Sequence, residues 1–177
     1  MTIDIIVAID LNNGIGFKNE LLYKTKADMQ RFKSLTEGQF AIMGSKTWTS
    51  LPAPLKNRTN VIVSRDEKFY IDPHLKNKYD IILVNDLERV INHYQTGTQT
   101  KNLCVVGGSQ IYKQSLPHVD KVYLTLFHDD TKESDSFFSL EYLDEHFKII
   151  HKEKHFDEES GLHYSFIDYV RKIRKEV

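Results

Sequence analysis

Short apolar runs set between stretches of helical period constrain this chain more than any other feature. Ile81-Ile82-Leu83-Val84 is apolar at every position, as are Ile5 to Ile9 and Leu103-Cys104-Val105-Val106. A strand that faces water on one side alternates apolar and polar residues, whereas one covered on both faces does not. The pattern predicts an α/β fold with a mostly parallel sheet flanked by helices. Strands are expected over Ile3–Ile9, Phe40–Met43, Val61–Ser64, Ile81–Val84, Leu103–Val106 and Lys121–Phe127. Helices are expected over Lys26–Leu35, Lys46–Leu51, Leu87–Tyr94 and Gln110–Leu116. Near the end the pattern changes. Phe147 to Phe156 and His163 to Val170 flank Asp157-Glu158-Glu159-Ser160-Gly161, which reads as an antiparallel hairpin closing one edge of a mixed sheet.

Length and charge narrow the function classes. The 177 residues amount to about one domain at roughly 150 residues each. A chain this long buries enough surface to fold without disulfides or a structural metal. Lys plus Arg is 24 and Asp plus Glu is 25, a balance that argues against nucleic acid as the main partner. The single cysteine, Cys104, excludes an intramolecular disulfide and, in its apolar run, reads as a small buried hydrophobe. The longest apolar run is too short for a membrane span or a signal segment, so a cytoplasmic protein is expected. Without secretion the sequon Asn57-Arg58-Thr59 carries no meaning.

Five features could carry chemistry. On a helix over Lys26–Leu35, at about 100° per residue, Asp28 lies within about 40° of Phe32 and Leu35, inside the apolar stripe. A carboxylate there is costly unless paired or employed, and burial would raise its pKa toward that of a proton-handling acid. Thr25-Lys26-Ala27-Asp28 equally resembles a capping box, with Thr25 as N-cap. The run Leu103 to Tyr112 passes from a strand through Gly107-Gly108 into a helix, which suits either a tight turn or close approach to a phosphate. It lacks the GxGxxG spacing of the common dinucleotide fingerprint. Asn12-Asn13-Gly14-Ile15-Gly16 is a turn-rich stretch after the first strand, where a ligand crevice can form. Lys46, Arg58 and Arg65 are either solvated charges or partners for anionic ligand groups. His151 and His155 share a strand face without a third spaced ligand, so no metal site is expected.

In this order the pieces resemble the dihydrofolate reductase family almost from end to end. The resemblance is carried by Ile6 to Asp10 with Gly14-Ile15-Gly16 and Asn19, and by Ala27-Asp28-Met29 through Phe32-Lys33. Ile42 to Trp48, Leu55 to Arg58, Val61 to Arg65 and Val106 to Tyr112 continue it. Tyr123-Leu124-Thr125 and Asp135 to Phe138 complete it. It implies a single domain over residues 1–177, with an adenosine-binding subdomain at roughly 39–100. It implies a monomeric enzyme that reduces 7,8-dihydrofolate with NADPH, supporting one-carbon metabolism and thymidylate synthesis, and that is sensitive to antifolates such as methotrexate. The catalytic group it implies is Asp28, Tyr23, Leu21 and Thr125. Substrate would meet Ile6, Ala8, Met29, Phe32, Leu51, Leu55, Arg58, Val106 and Tyr112, with Arg58 taking the glutamate α-carboxylate. Cofactor would meet Ala8, Ile15, Gly16, Gly44, Ser45, Lys46, Thr47, Ser64 and Arg65, then every residue from Val106 through Gly107, Gly108, Ser109, Gln110 and Ile111 to Tyr112. The stretch from about Asp10 to Lys24 would form a lid.

The chain departs from the family pattern in three places. Leu22-Tyr23 stands where Pro-Trp is usual, so a phenol replaces the indole that helps order water near the acid. Lys26 replaces a second proline, and Ser45 stands where many members carry Arg or Lys toward the cofactor's 2′-phosphate. Lys46, Ser64 and Arg65 could still confer a preference for NADPH over NADH. A reductase of related pterin or pyrimidine substrates on the same fold is the nearest rival, and Arg58 argues against it because those substrates lack the glutamate tail. A catalytically silent binding protein is the rival of another class, disfavoured by the Asp28–Thr125 pair and the double glycine.

Overall fold

The computed structural model describes residues 1–173. In chain order the elements are β1 (Ile3–Ile9), β2 (Gly14–Phe17), β3 (Glu20–Leu21), α1 (Lys26–Thr36), β4 (Phe40–Gly44), α2 (Ser45–Ser50), β5 (Thr59–Val63), α3 (Pro73–Lys78) and β6 (Ile81–Val84). They continue with α4 (Leu87–Thr96), β7 (Leu103–Val105), α5 (Ser109–Ser115), β8 (Lys121–Phe127), β9 (Ser136–Phe137), α6 (Leu140–His146), β10 (Phe147–Asp157) and β11 (Leu162–Arg171). A 3₁₀ turn over Leu116–His118 joins α5 to β8.

The main sheet runs β10-β11-β8-β1-β7-β4-β5-β6. From β8 to β6 every pairing is parallel, and β11 joins β8 antiparallel, with Tyr169 opposite Val122. The expected hairpin is present, and β10 closes one edge as its outermost strand. The predicted elements lie within two residues of those observed. Ile5, Val105, Leu124 and Ile42, on the central strands, are fully buried. β4, β7 and β1 from Ile5 onward are apolar throughout, as expected of strands covered on both faces.

One expectation fails. Ile81–Val84 is not a strand covered on both faces, for β6 is the other edge of the sheet. Ile82 and Leu83 are exposed, and both line a crevice of about 920 Å³ beside α4. The apolar run marks a parallel partner of β5, not a central position.

β2 and β3 lie within the stretch expected as a lid, and β9, like α3 and α6, lies where no element was expected. β2, β3 and β9 form a small separate sheet in the order β3-β2-β9. The β2–β3 turn, Lys18-Asn19, has both residues at positive φ (48° and 65°), the geometry of a tight two-residue hairpin turn. Much of the expected lid is therefore a hairpin held by β9. Asp135 binds it twice, its carboxylate accepting from Lys18 N at 2.9 Å and its N–H donating to Gly16 O at 3.0 Å.

Candidate active site

The C-terminal ends of β1, β4 and β5, with the turn after β7, open into one cleft of about 2200 Å³. Such crevices form where successive strand connections leave a sheet in opposite directions. α1 forms one wall, and α2 and the start of α5 another. The mouth is apolar and open: Leu21 is 54% exposed and Met29 61%. Side chains of that kind, unpaired at a concave surface, mark a ligand wall.

Asp28 lies on this cleft near the start of α1. Of the expected capping box only the Thr25 half is present. The Thr25 hydroxyl caps the helix by accepting from Asp28 N at 3.2 Å, and the Asp28 carboxylate is left to the cleft, accepting from Thr125 Oγ1 at 2.6 Å. Burial raises the carboxyl above the usual carboxylate range, while the Thr125 hydroxyl and the Arg31 charge oppose that rise. Thr125 is itself buried on β8, behind the acid.

The double glycine forms the opposite wall. Gly107 has φ +124°, which only glycine tolerates readily, and the Gly107-Gly108 peptide is cis. Gly107 O accepts from Gly44 N at 2.9 Å, extending the β4–β7 pairing into the turn. A Cβ on Gly107 or on Gly108 would stand 3.5 or 3.4 Å from Thr47 Oγ1, in ordinary contact, so the turn lies directly against α2 and forms a cradle with it. Tyr112 closes the cradle from behind, its hydroxyl donating to Ile6 O at 2.8 Å.

Arg58 reaches the cleft from the segment before β5. Its Nε donates to Thr36 Oγ1 at 2.8 Å and its Nη1 to Lys56 O at 2.6 Å, which fixes the guanidinium plane near the Phe32 ring. At the far end, Ser64 and Arg65 after β5 line the cleft together with Ser45, Lys46 and Thr47 of α2.

A dihydrofolate reductase family model matches residues 2–171. The chain is 34% identical over 138 residues to dihydrofolate reductase of Haemophilus influenzae, covering 78% of this chain and 79% of that one. It is 31% identical to the Pneumocystis carinii enzyme, covering 90% and 84%. The chain belongs to the dihydrofolate reductase family. It also matches a bifunctional dihydrofolate reductase-thymidylate synthase of Paramecium tetraurelia, at 36% identity over 135 residues, but spans only 27% of that longer protein. Among solved structures, dihydrofolate reductase from Enterococcus faecalis complexed with NADP(H) and RAB-propyl superposes with a TM-score of 0.83. It is 21% identical, with 97% of this chain and 96% of that chain covered.

Set against the dihydrofolate reductase pattern, nearly all the expected site residues meet on this one cleft. Ile6, Ala8, Ile15, Gly16, Leu21, Asp28, Met29 and Phe32 line its acid side. Leu51, Leu55 and Arg58 line one end, Gly44 through Thr47 with Ser64 and Arg65 the other, and Val106 through Tyr112 the back. Thr125 is one layer behind, on Asp28.

Tyr23 is the exception. It does not line the cleft. Its ring stacks on Phe127, and its hydroxyl donates to Asp129 Oδ1 at 2.7 Å. A buried hydroxyl needs an acceptor, and Asp129, which does not line the cleft, offers one. His151 and His155 both bind Glu153 on the edge strand β10, distant in function from the cleft residues. Cys104 is buried, and burial pushes its thiol up to about 12.

The cleft also holds residues that sequence reasoning missed. Asp66, Asn85 and Arg89 line it beside Arg65. Arg89 sits in the first turn of α4, its N–H capped by Asp86 at 3.1 Å. The cap was a readable signal for the helix; nothing local marks a lone arginine as facing a cleft formed by other elements.

Proposed function

We propose that this chain reduces 7,8-dihydrofolate to 5,6,7,8-tetrahydrofolate with NADPH, and that the cleft residues described above are its site. The observation that carries the reading is the Asp28 carboxylate, set among apolar walls, bonded to Thr125, and held above its usual pKa. Asp28 offers two oxygens to the amino group and ring N–H of a pteridine, and its charge favours protonation at N5. Ala8, Leu21, Met29 and Phe32 exclude water from the pteridine, and Arg58 takes the α-carboxylate of the glutamate tail.

The turn at Gly107 and Gly108 beside Thr47, where the positive φ of Gly107 disfavours a side chain, suits close approach of an extended dinucleotide. Gly107 to Gln110 would hold its diphosphate, Ser45 to Thr47, Ser64 and Arg65 its adenosine phosphate, and Ala8, Ile15 and Gly16 its nicotinamide. When bound, NADPH supplies the hydride. The protein's contribution is alignment of the two rings and exclusion of water. Antifolates such as methotrexate would occupy the same acid and arginine positions.

No helix among the described residues is long and apolar enough to cross a membrane. We place the enzyme in the cytoplasm as a monomer, a single domain whose adenosine-binding part spans roughly residues 39–100. Mixing the protein with NADPH and dihydrofolate tests the function. Consumption of NADPH dependent on dihydrofolate is expected; its absence, with the protein folded, refutes the reading.

A further inference from the structure

The segment from Tyr23 to Asp28 is fastened at three successive points along β8 and its continuation. Thr125, Phe127 and Asp129 stand at every second position, and each meets that segment. Thr125 Oγ1 donates to Asp28 Oδ1 at 2.6 Å. The Phe127 ring stacks on Tyr23 at 5.2 Å between centroids. Asp129 Oδ1 accepts from the Tyr23 hydroxyl at 2.7 Å. Asp129 is itself held by Thr131, whose N–H and hydroxyl donate to the same oxygen at 2.7 and 2.6 Å. From the other side Lys132 places its ammonium 4.4 Å from the Tyr23 ring centroid and donates to the Leu22 carbonyl.

We propose that Tyr23, pinned by Asp129 and Lys132, is a positioning residue that sets where Asp28 stands in the cleft. The proposal rests on the reading of Asp28 given above. Between the two residues lies a short extended link that ends at Thr25, the cap on Asp28 N. With both ends fastened to one strand, the first turn of α1 has little freedom to shift. Release of the Tyr23 end lets that turn move, and small misplacements of a reacting group cost large factors in rate. The cradle at Gly107, Gly108 and Thr47 stands on other elements, so cofactor affinity does not depend on the pin. The chain thus keeps an aromatic residue before the acid helix but turns it into an anchor.

Tyr23→Phe tests this because it preserves the ring stack and removes only the hydroxyl. Single-turnover hydride transfer is expected to slow about tenfold, with the NADPH Kd changed by less than about twofold. Asp129→Leu is expected to match it, and the double variant to be no slower than either single one, as for two halves of one contact. Asp129→Asn keeps an acceptor for the hydroxyl and is expected to retain the wild-type rate. Tyr94→Phe is the control for stability loss alone, since its hydroxyl donates to the Thr2 and Lys101 carbonyls away from the cleft. It is expected to lower Tm and leave the rate unchanged. A wild-type rate in Tyr23→Phe, or losses that add in the double variant, overturns the proposal. Amide exchange at residues 25–28 separates its failure from that of the functional reading. Faster exchange in Tyr23→Phe and Asp129→Leu supports the pin even if dihydrofolate is not reduced, and unchanged exchange refutes it whatever the activity.

Discussion

Arg58→Lys keeps the positive charge at the end of the cleft and removes the planar fork. The guanidinium carries five N–H donors. Two are spent on Thr36 Oγ1 at 2.8 Å and Lys56 O at 2.6 Å, which leaves three for a ligand and fixes their direction. Burial lowers the guanidinium pKa and the Glu37 charge raises it, yet an arginine remains cationic throughout the working range. A lysine ammonium cannot hold Thr36, Lys56 and a bidentate carboxylate together. The expected loss is about 1.5–3 kcal/mol, the value of a charge-assisted hydrogen bond, or roughly 10- to 150-fold. It should appear almost wholly in the dihydrofolate KM, because the tail is remote from the reacting atoms. The assay compares KM and kcat for dihydrofolate with those for a dihydropterin that lacks the glutamate. An equal rise in KM for both substrates would show that Arg58 does not read the tail carboxylate.

Two further outcomes concern other parts of the molecule. Arg65→Ala should raise the KM for NADPH several-fold, more so at low salt, and leave that for NADH nearly unchanged, since one partly exposed cation near a phosphate is worth about 1 kcal/mol; equal losses for both cofactors would remove Arg65 from the 2′-phosphate. Asp4 is buried at the start of β1, one oxygen accepting from Thr2 Oγ1 at 2.9 Å and the other without a partner among the described residues, and burial raises its pKa from 3.8 to about 6. A raised carboxyl favours the protonated folded state, so stability falls as pH rises from about 4 to about 6, by about 3 kcal/mol once both pKa values are passed. Asp4→Asn should therefore raise Tm at pH 7.5 and leave it little changed at pH 4, and an equal shift at both would refute this origin.

Most of the sheet was legible because its strands carry the signal themselves. β1 and β8 match their expected bounds to the residue, and the hairpin β10–β11 was visible from its turn. Edge position was not legible, since Ile81–Val84 is as apolar as a central strand yet lies outermost. β3 and β9 are two residues each, too short for any period, and the Lys18-Asn19 turn lacks the glycine that usually marks such a hairpin. α3 was missed although Asp72 caps it and Pro73 opens it, a readable pair of start signals. In the site, Asp28 was legible because a carboxylate in an apolar stripe is costly. The direction of Tyr23 was not, because its partner Asp129 is 106 residues away in sequence.

Asp28→Asn bears on the proposed role of Asp28 as the group that makes reduction possible at neutral pH. The isostere keeps the helix cap, since Thr25 bonds the backbone N–H of residue 28 rather than its side chain. It removes the charge proposed above to bind the pteridine edge and to favour N5 protonation. Single-turnover hydride transfer, followed from pH 5 to pH 9 alongside NADPH binding, is the measurement. The expected result is a rate at pH 7 reduced by about 10²–10⁴-fold, partial recovery toward pH 5 where the substrate protonates itself, and NADPH affinity almost unchanged. A variant that transfers hydride at pH 7 near the wild-type rate would contradict it and leave Asp28 as no more than the third residue of a capped helix.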